Sequence, residues 1–214
     1  MTHVIDFFRG LIEERRVERN PNAEDIVSAA LDWNLDDEPI DDQELLNCLL
    51  GLFMAGIDTV ASESSYAMLH LATHSEDRRR IVNKPEIIPP AVEEMLRTYA
   101  IVQTARKALH DMEFHGCQVK AGDMAVFALA LANRDDRMFP EGRKVNLDRG
   151  ITRHITFGAG PHRCLGSHLA RQEMAVLLAE WHRRIPDYEL VAEPIEHGGQ
   201  VFWLTALELR WNPV

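Results

Sequence analysis

With 214 residues, 46% of them hydrophobic and 27% charged, the chain has material for one sizeable core or two small ones. A formal charge of −11 argues against nucleic acid or an anionic membrane as the main partner, and three widely spaced cysteines, Cys48, Cys117 and Cys164, are too few for a disulfide scaffold. The opening stretch mixes charged and apolar residues in place of a signal-peptide core, and no apolar run stands out at transmembrane length; the expectation is a cytoplasmic protein without a membrane partner.

Val4, Ile5, Phe8, Leu11 and Ile12 share one face of a first helix, with Asn20-Pro21 as its stop. The run DIVSAALDW, residues 25–33, fits a second, shorter helix. Asp41, followed three residues later by Glu44, reads as a capping box, and apolar periodicity then continues to about His74. Such a helix is about 50 Å long at ~1.5 Å per residue, enough to cross a whole domain. Ser75 to Asn83 gives another short helix, and Pro89 opens PPAVEEMLRTYA, a proline in the first turn being tolerated.

After Tyr99 the period changes. VQTARKAL, DMEF, CQVK and DMAVF alternate over short runs punctuated by HG and AGD, as strands and turns do. FPEGRKVNLDRG is an irregular meander, SHLARQEMAVLLAEWHRRI returns to helix until Pro186, and YELV, QVFWL and ALELRW read as closing strands. The pattern predicts an α+β fold, mainly α, with a long central helix and a small sheet formed late in the chain.

The most informative stretch is FGAGPHRCLGSHLARQEM, residues 157–174. Its glycines and proline let the backbone turn tightly, and Cys164 falls near the start of a helix expected from Leu165 or Gly166. N–H groups and the helix dipole there favour an anion, so the sulfur is expected as a thiolate, with small Gly166 leaving room for a flat partner. That suggests an axial haem ligand. A structural cysteine in a capping loop is the bland alternative. A zinc site from His154, His162, Cys164 and His168 is a third, although their spacing lacks the paired arrangement of structural zinc ligands.

F-G-x-G-x-H-x-C-x-G resembles the haem-thiolate loop of the cytochrome P450 family, and three further motifs follow the family's order. Ala55-Gly56-Ile57-Asp58-Thr59, midway along the long helix, resembles its oxygen-activating motif. Glu94-Met95-Leu96-Arg97 resembles its E-x-x-R helix, and Ala132-Asn133-Arg134-Asp135 with Phe139-Pro140 resembles the entry to its meander. EFHGCQVKAGD and EWHRRIPDYEL look most like the soluble bacterial camphor-hydroxylase group. The resemblance covers the whole chain but about the second half of a family member, so residues 1–214 are expected to form a partial P450 domain whose N-terminal half is absent.

The resemblance implies haem b held by Cys164, with Phe157, Gly158, Gly166, His162 and Arg106 around it, the last two serving the propionates. It implies that Thr59 and Asp58 order and relay protons for oxygen cleavage, with Thr59 opening the helix locally; a plain kink with a solvated aspartate is the alternative. Glu94 and Arg97 are expected to pair with Lys144 of the meander and lock the cysteine loop, whereas an exposed i,i+3 pair alone contributes only ~0.2–0.5 kcal/mol. Gly51, Met54, Ala55, Val102, Gln200 and Val201 fall where the family lines its pocket, pointing to a small hydrophobic substrate. Electrons are expected from NAD(P)H through a ferredoxin-like or flavoprotein donor, with Arg163 and Arg171 facing it. The implied function is haem-thiolate monooxygenation with dioxygen; the alternative is a truncated, non-catalytic fragment that binds haem weakly or not at all.

Overall fold

The computed structural model describes residues 2–20, 24–150 and 153–212 and divides into two units, one ending at Asp58 and the other beginning at Thr59. In the first, α1 (Thr2–Val17) turns Ile5, Phe8, Leu11 and Ile12 toward Val27 and Ala30 of α2 (Ile26–Ala30) and toward Leu45, Leu46 and Leu49 at the start of α3 (Asp42–Thr73). The first helix ends ahead of Asn20; Pro21 lies outside the described residues. The second is shorter than the sequence suggested. Asp25 caps it by accepting from the Ser28 amide at 2.9 Å, and the chain leaves it for a two-residue ladder of β1 (Asn34–Leu35) with β2 (Glu38–Pro39). Asp36 and Asp37 turn that hairpin at φ +52° and +67°, a left-handed conformation aspartate tolerates better than most side chains.

Asp41 caps α3 through the Glu44 amide at 2.8 Å, and the helix then runs 32 residues, about 48 Å at 1.5 Å per residue. Two expectations change here. The helix continues without interruption through Gly56 and Thr59. It is also the one helix among the described residues long and apolar enough to cross a membrane by length and composition, because Asp58 and Glu63 are its only charges between Leu45 and Leu69.

In the second unit, α4 (Ser75–Asn83), a 3-10 turn (Pro85–Ile87), α5 (Ile88–Tyr99) and a late helix, residues 167–184, enclose one core. Ala67, Met68 and Leu71 meet Ile81, Val92, Met95, Leu96, Met174 and Leu178 there. Full burial of each large side chain contributes about 1.5–3 kcal/mol. β3 (Thr104–Lys107) pairs with β6 (Met124–Phe127), and between them lies the hairpin of β4 (Met112–Phe114) with β5 (Cys117–Val119). His115 at φ +47° and Gly116 at φ +82° give that hairpin its two-residue turn. A short α6 (Leu129–Asn133), unanticipated in sequence, leads into the meander. The helix at 167–184 is α7 (Ser167–Arg184), followed by β7 (Glu189–Leu190), β8 (Glu196–His197), β9 (Trp203–Leu204) and β10 (Leu209–Arg210). β7 pairs with β10 and β8 with β9, so the expected single sheet is a set of two-stranded antiparallel ladders.

Arg97 on α5 is fully buried, and its guanidinium binds five residues at once. Nε and Nη2 donate to the two Glu94 oxygens at 2.8 and 2.7 Å; Nη1 donates to the carbonyls of Asn133 at 2.6 Å and Gly142 at 2.7 Å; Nη2 also reaches Thr98 Oγ1 and the Lys144 carbonyl. Gly142 is required there, since a Cβ would stand 2.7 Å from the Arg134 carbonyl oxygen. The third charged partner differs from the expected one. Arg149 Nε donates to Glu94 at 3.0 and 3.2 Å, whereas the Lys144 ammonium turns to Glu141 on the surface and contributes only its backbone carbonyl to Arg97. Burial raises the Glu94 carboxyl's affinity for a proton, but Arg97, the Asn146 amide and Arg149 outweigh it and hold its pKa below the ordinary value.

Glu63 on α3 is a second buried acid with the opposite balance. It is 6% exposed, and its Oε1 has no hydrogen-bond partner among the described residues. Burial pushes its pKa up from 4.5 to about 8.

Two outcomes follow from these acids. Arg149→Ala leaves Glu94 short of a buried cation and is expected to cost about 3 kcal/mol in urea unfolding, while Lys144→Ala, at an exposed ammonium, leaves the midpoint close to that of the parent; equal losses would restore Lys144 to the lock. For Glu63, the raised folded pKa means its stabilisation is complete below pH 4.5 and is lost as pH rises through 8, at up to about 1.4 kcal/mol per pH unit. Unfolding midpoints of Glu63→Gln between pH 5 and 8 should fall less steeply than those of the parent chain, and parallel slopes would refute the assignment.

Candidate functional site

The cysteine loop is pinned at its entry before it reaches Cys164. Asn133 accepts from the Ile155 amide at 2.9 Å and donates through Nδ2 to Thr156 Oγ1 at 2.8 Å, and that hydroxyl donates to the Leu96 carbonyl at 2.8 Å. The loop is thereby tied to α5 and α6, the two elements Arg97 joins. Gly158 and Gly160 then take φ of +68° and +69°, which a residue with a Cβ resists, and a 3-10 turn (Gly160–His162) follows. Cys164 donates its amide to the Phe157 carbonyl at 2.9 Å, closing the loop on itself.

Its sulfur is exposed and stands three residues ahead of α7, which starts at Ser167 instead of Leu165 or Gly166. Several loop amides expected to gather at the sulfur close backbone turns instead: Gly158 on Ile155, Arg163 on Gly160 and Cys164 on Phe157. The flank at Gly166 is open, for a Cβ there would lie 3.9 Å from Sγ, ordinary contact.

Around this loop the remaining candidates divide. His162 is exposed; Arg106 is exposed on β3, with Nη1 on its neighbour Ala105's carbonyl at 2.8 Å, and neither has a carboxylate partner among the described residues. Val102 and Val201 are brought together by a β-bridge, and Gln200 joins them by accepting the Gln103 amide at 2.8 Å. Gly51, Met54, Ala55 and Asp58 belong to the first unit, where all four are exposed on α3; Thr59, half-buried, opens the second. His154 Nε2 is 3.0 Å from Glu93, and no three His, Cys, Asp or Glu side chains among the described residues are grouped to hold a metal ion, which leaves the zinc arrangement without support. Arg163 is exposed, but Arg171, expected to face a partner, is turned onto Glu93 and the Ser167 carbonyl.

A haem fits what is present. The donor is a single exposed thiol with an open glycine flank, and two exposed basic side chains lie uncommitted to any acid. Asn133, Gly142 and Arg149, which hold this arrangement, carry no signal that composition or periodicity distinguishes.

The family profile described as Cytochrome P450 matches residues 1–83 and 82–184. The chain is 33% identical to a probable cytochrome P450 127A1 of Sinorhizobium fredii, over 93% of this chain and 49% of that protein, and 36% identical to the mycinamicin IV hydroxylase/epoxidase of Micromonospora griseorubida, over 84% and 45%. The crystal structure of CYP101J2 superposes with a TM-score of 0.89 at 33% identity, covering 99% of this chain and 53% of that one. CYP108D1 from Novosphingobium aromaticivorans gives 0.86 at 33%, covering 100% and 52%. The chain thus spans about half the length of the relatives it matches, and the profile match over most of its length, with identities above 30%, shows that it belongs to the cytochrome P450 family.

Proposed function

We propose that the protein is a haem-thiolate monooxygenase, or the part of one that carries the thiolate, acting on a small hydrophobic substrate. The observation that carries this reading is Cys164, an exposed thiol on a loop closed by its own amide and anchored to a buried arginine–glutamate pair. Haem b, when bound, supplies the reduction of dioxygen and the insertion of one oxygen atom into a C–H bond.

The chain's own residues do the rest. Cys164 is the residue whose sulfur would hold the haem iron, and Gly166 leaves the flank of that sulfur clear for a flat ring. Arg106 and His162 offer donors to carboxylates at the ring's edge. Thr59 holds a hydroxyl and Asp58 a carboxyl on consecutive positions of α3, and with haem bound these are the groups that would supply protons, as a general acid does. Val102 and Val201, joined across their bridge, give the substrate an apolar wall. Met54 and Ile57 are 49% and 51% exposed, apolar surface of the kind a ligand face leaves open. Electrons come from NAD(P)H through a ferredoxin-like or flavoprotein donor, with exposed Arg163 a contact for its acidic surface. The compartment that suits this supply is the cytoplasm.

A second reading, a chain that holds haem weakly and catalyses nothing, is favoured by one observation. Val126, Phe127, Leu165, Leu169 and Val176 are 49–68% exposed, each forfeiting part of the ~1.5–3 kcal/mol that burial would contribute. Haem content after size-exclusion chromatography separates the two, a monodisperse protein with one haem per chain supporting the first.

In the haem-loaded protein, Cys164→Ala should abolish the red-shifted Soret band of the reduced carbon monoxide complex, while Cys48→Ala and Cys117→Ala keep it; a normal spectrum from Cys164→Ala would sink the ligand assignment. Thr59→Ala should retain haem and substrate affinity but yield about tenfold less product per electron, the difference leaving as hydrogen peroxide. Unchanged coupling would return Thr59 to a structural place in α3.

A further inference from the structure

Glu93 precedes Glu94 in α5 and points to different partners. Glu94 serves Arg97 and the meander; Glu93, with 19% of its side chain exposed, receives the guanidinium of Arg171 from α7 in a two-pronged pair, Nε to Oε1 and Nη2 to Oε2, the latter at 3.1 Å. The same Oε2 is 3.0 Å from Nε2 of His154, whose side chain is 2% exposed. Arg171 also lies over the Phe157 ring, its Cζ 4.6 Å from the centroid, and Phe157 is the residue whose carbonyl receives the Cys164 amide. Nη1 completes the set on the Ser167 carbonyl at 2.9 Å, at the first residue of α7.

We propose that Glu93 and Arg171 are positioning residues for the axial thiolate, Arg171 setting the Phe157–Cys164 turn by stacking and Glu93 neutralising the cation that does so. The inference rests on Cys164 being the haem ligand. One carboxylate grips both ends of the loop, His154 at its start and, through Arg171 and Phe157, the turn that carries the sulfur. A lysine could supply the charge of Arg171 but neither the flat face nor the fork. Hydrogen bonding and charge close to a ligating sulfur alter its electron donation, and loss of such outer partners typically lowers affinity for the metal group ~10–100-fold.

The experiment compares parent, Glu93→Gln and Arg171→Lys proteins loaded with haem, reading reduction potential, haem affinity and the reduced carbon monoxide spectrum, with exposed Glu180→Gln on α7 as the control. Glu93→Gln strips the counter-charge from Arg171, so the expected result is a potential shifted toward reduction and haem bound about tenfold more weakly. Arg171→Lys should lose haem affinity to a similar degree and convert part of the spectrum to the form of a neutral thiol ligand, with Glu180→Gln unchanged on every readout. If Glu93→Gln fails to fold by circular dichroism, Arg171→Lys, which keeps the cation, carries the test by itself. Parent-like potential, affinity and spectrum in the folded variants overturn the proposal and leave the P450 reading standing. A parent protein with no thiolate spectrum overturns both.

Discussion

The Arg97 guanidinium is the constraint on which the second unit depends. A fully buried cation is tolerable only if every N–H finds an acceptor, and here the acceptors come from Glu94, Thr98, Asn133, Gly142 and Lys144. Three of those acceptors are backbone carbonyls from segments 36 to 47 residues away in sequence. Irregular chain, which has no ladder of its own, thereby acquires a fixed course. The same Asn133 whose carbonyl meets Arg97 uses its side chain to hold Ile155 and Thr156, so the constraint reaches the cysteine loop through a single residue.

α5 works as a two-sided beam in consequence. Its apolar stripe, Ile88, Val92, Met95 and Leu96, is buried in the core, and its two adjacent glutamates serve different partners. Burial opposes the charge of both. Three donors around Glu94 and the pair of Arg171 and His154 around Glu93 overcome it, holding Glu93 at a pKa of about 2. Glu63 shows what deep burial does without a cation beside it, its pKa rising to about 8.

Elements governed by local rules were legible in the sequence. Asn83 ends α4 where expected, Asp41 caps α3, and the two glycines of the cysteine loop occupy the left-handed conformations that only glycine enters readily. What escaped depends on distant chain. Lys144 and Arg149 are both basic residues of one meander, and only the course imposed by Arg97 decides that Arg149 reaches Glu94. Arg171 reads as a surface charge on a helix until Glu93 and Phe157 are placed beside it. Strand pairing escaped for a related reason: alternation reveals a strand but not how many neighbours it has, and runs read as one sheet are separate two-stranded ladders.

The position of the sulfur follows from these distant contacts more than from the loop's own motif. Glycine and proline permit the turn but leave its direction open, because a residue free to enter left-handed space is free to leave it. Direction comes from outside. Asn133 and Leu96 fix the entry through Ile155 and Thr156, and Arg171 covers the ring of Phe157, whose carbonyl receives the cysteine amide. A loop held in this way keeps its thiol exposed without the thiol itself contributing to the packing. Changes at Glu93, Asn133 or Arg171 therefore act on Cys164 through geometry and field while leaving the FGAGPHRC motif intact.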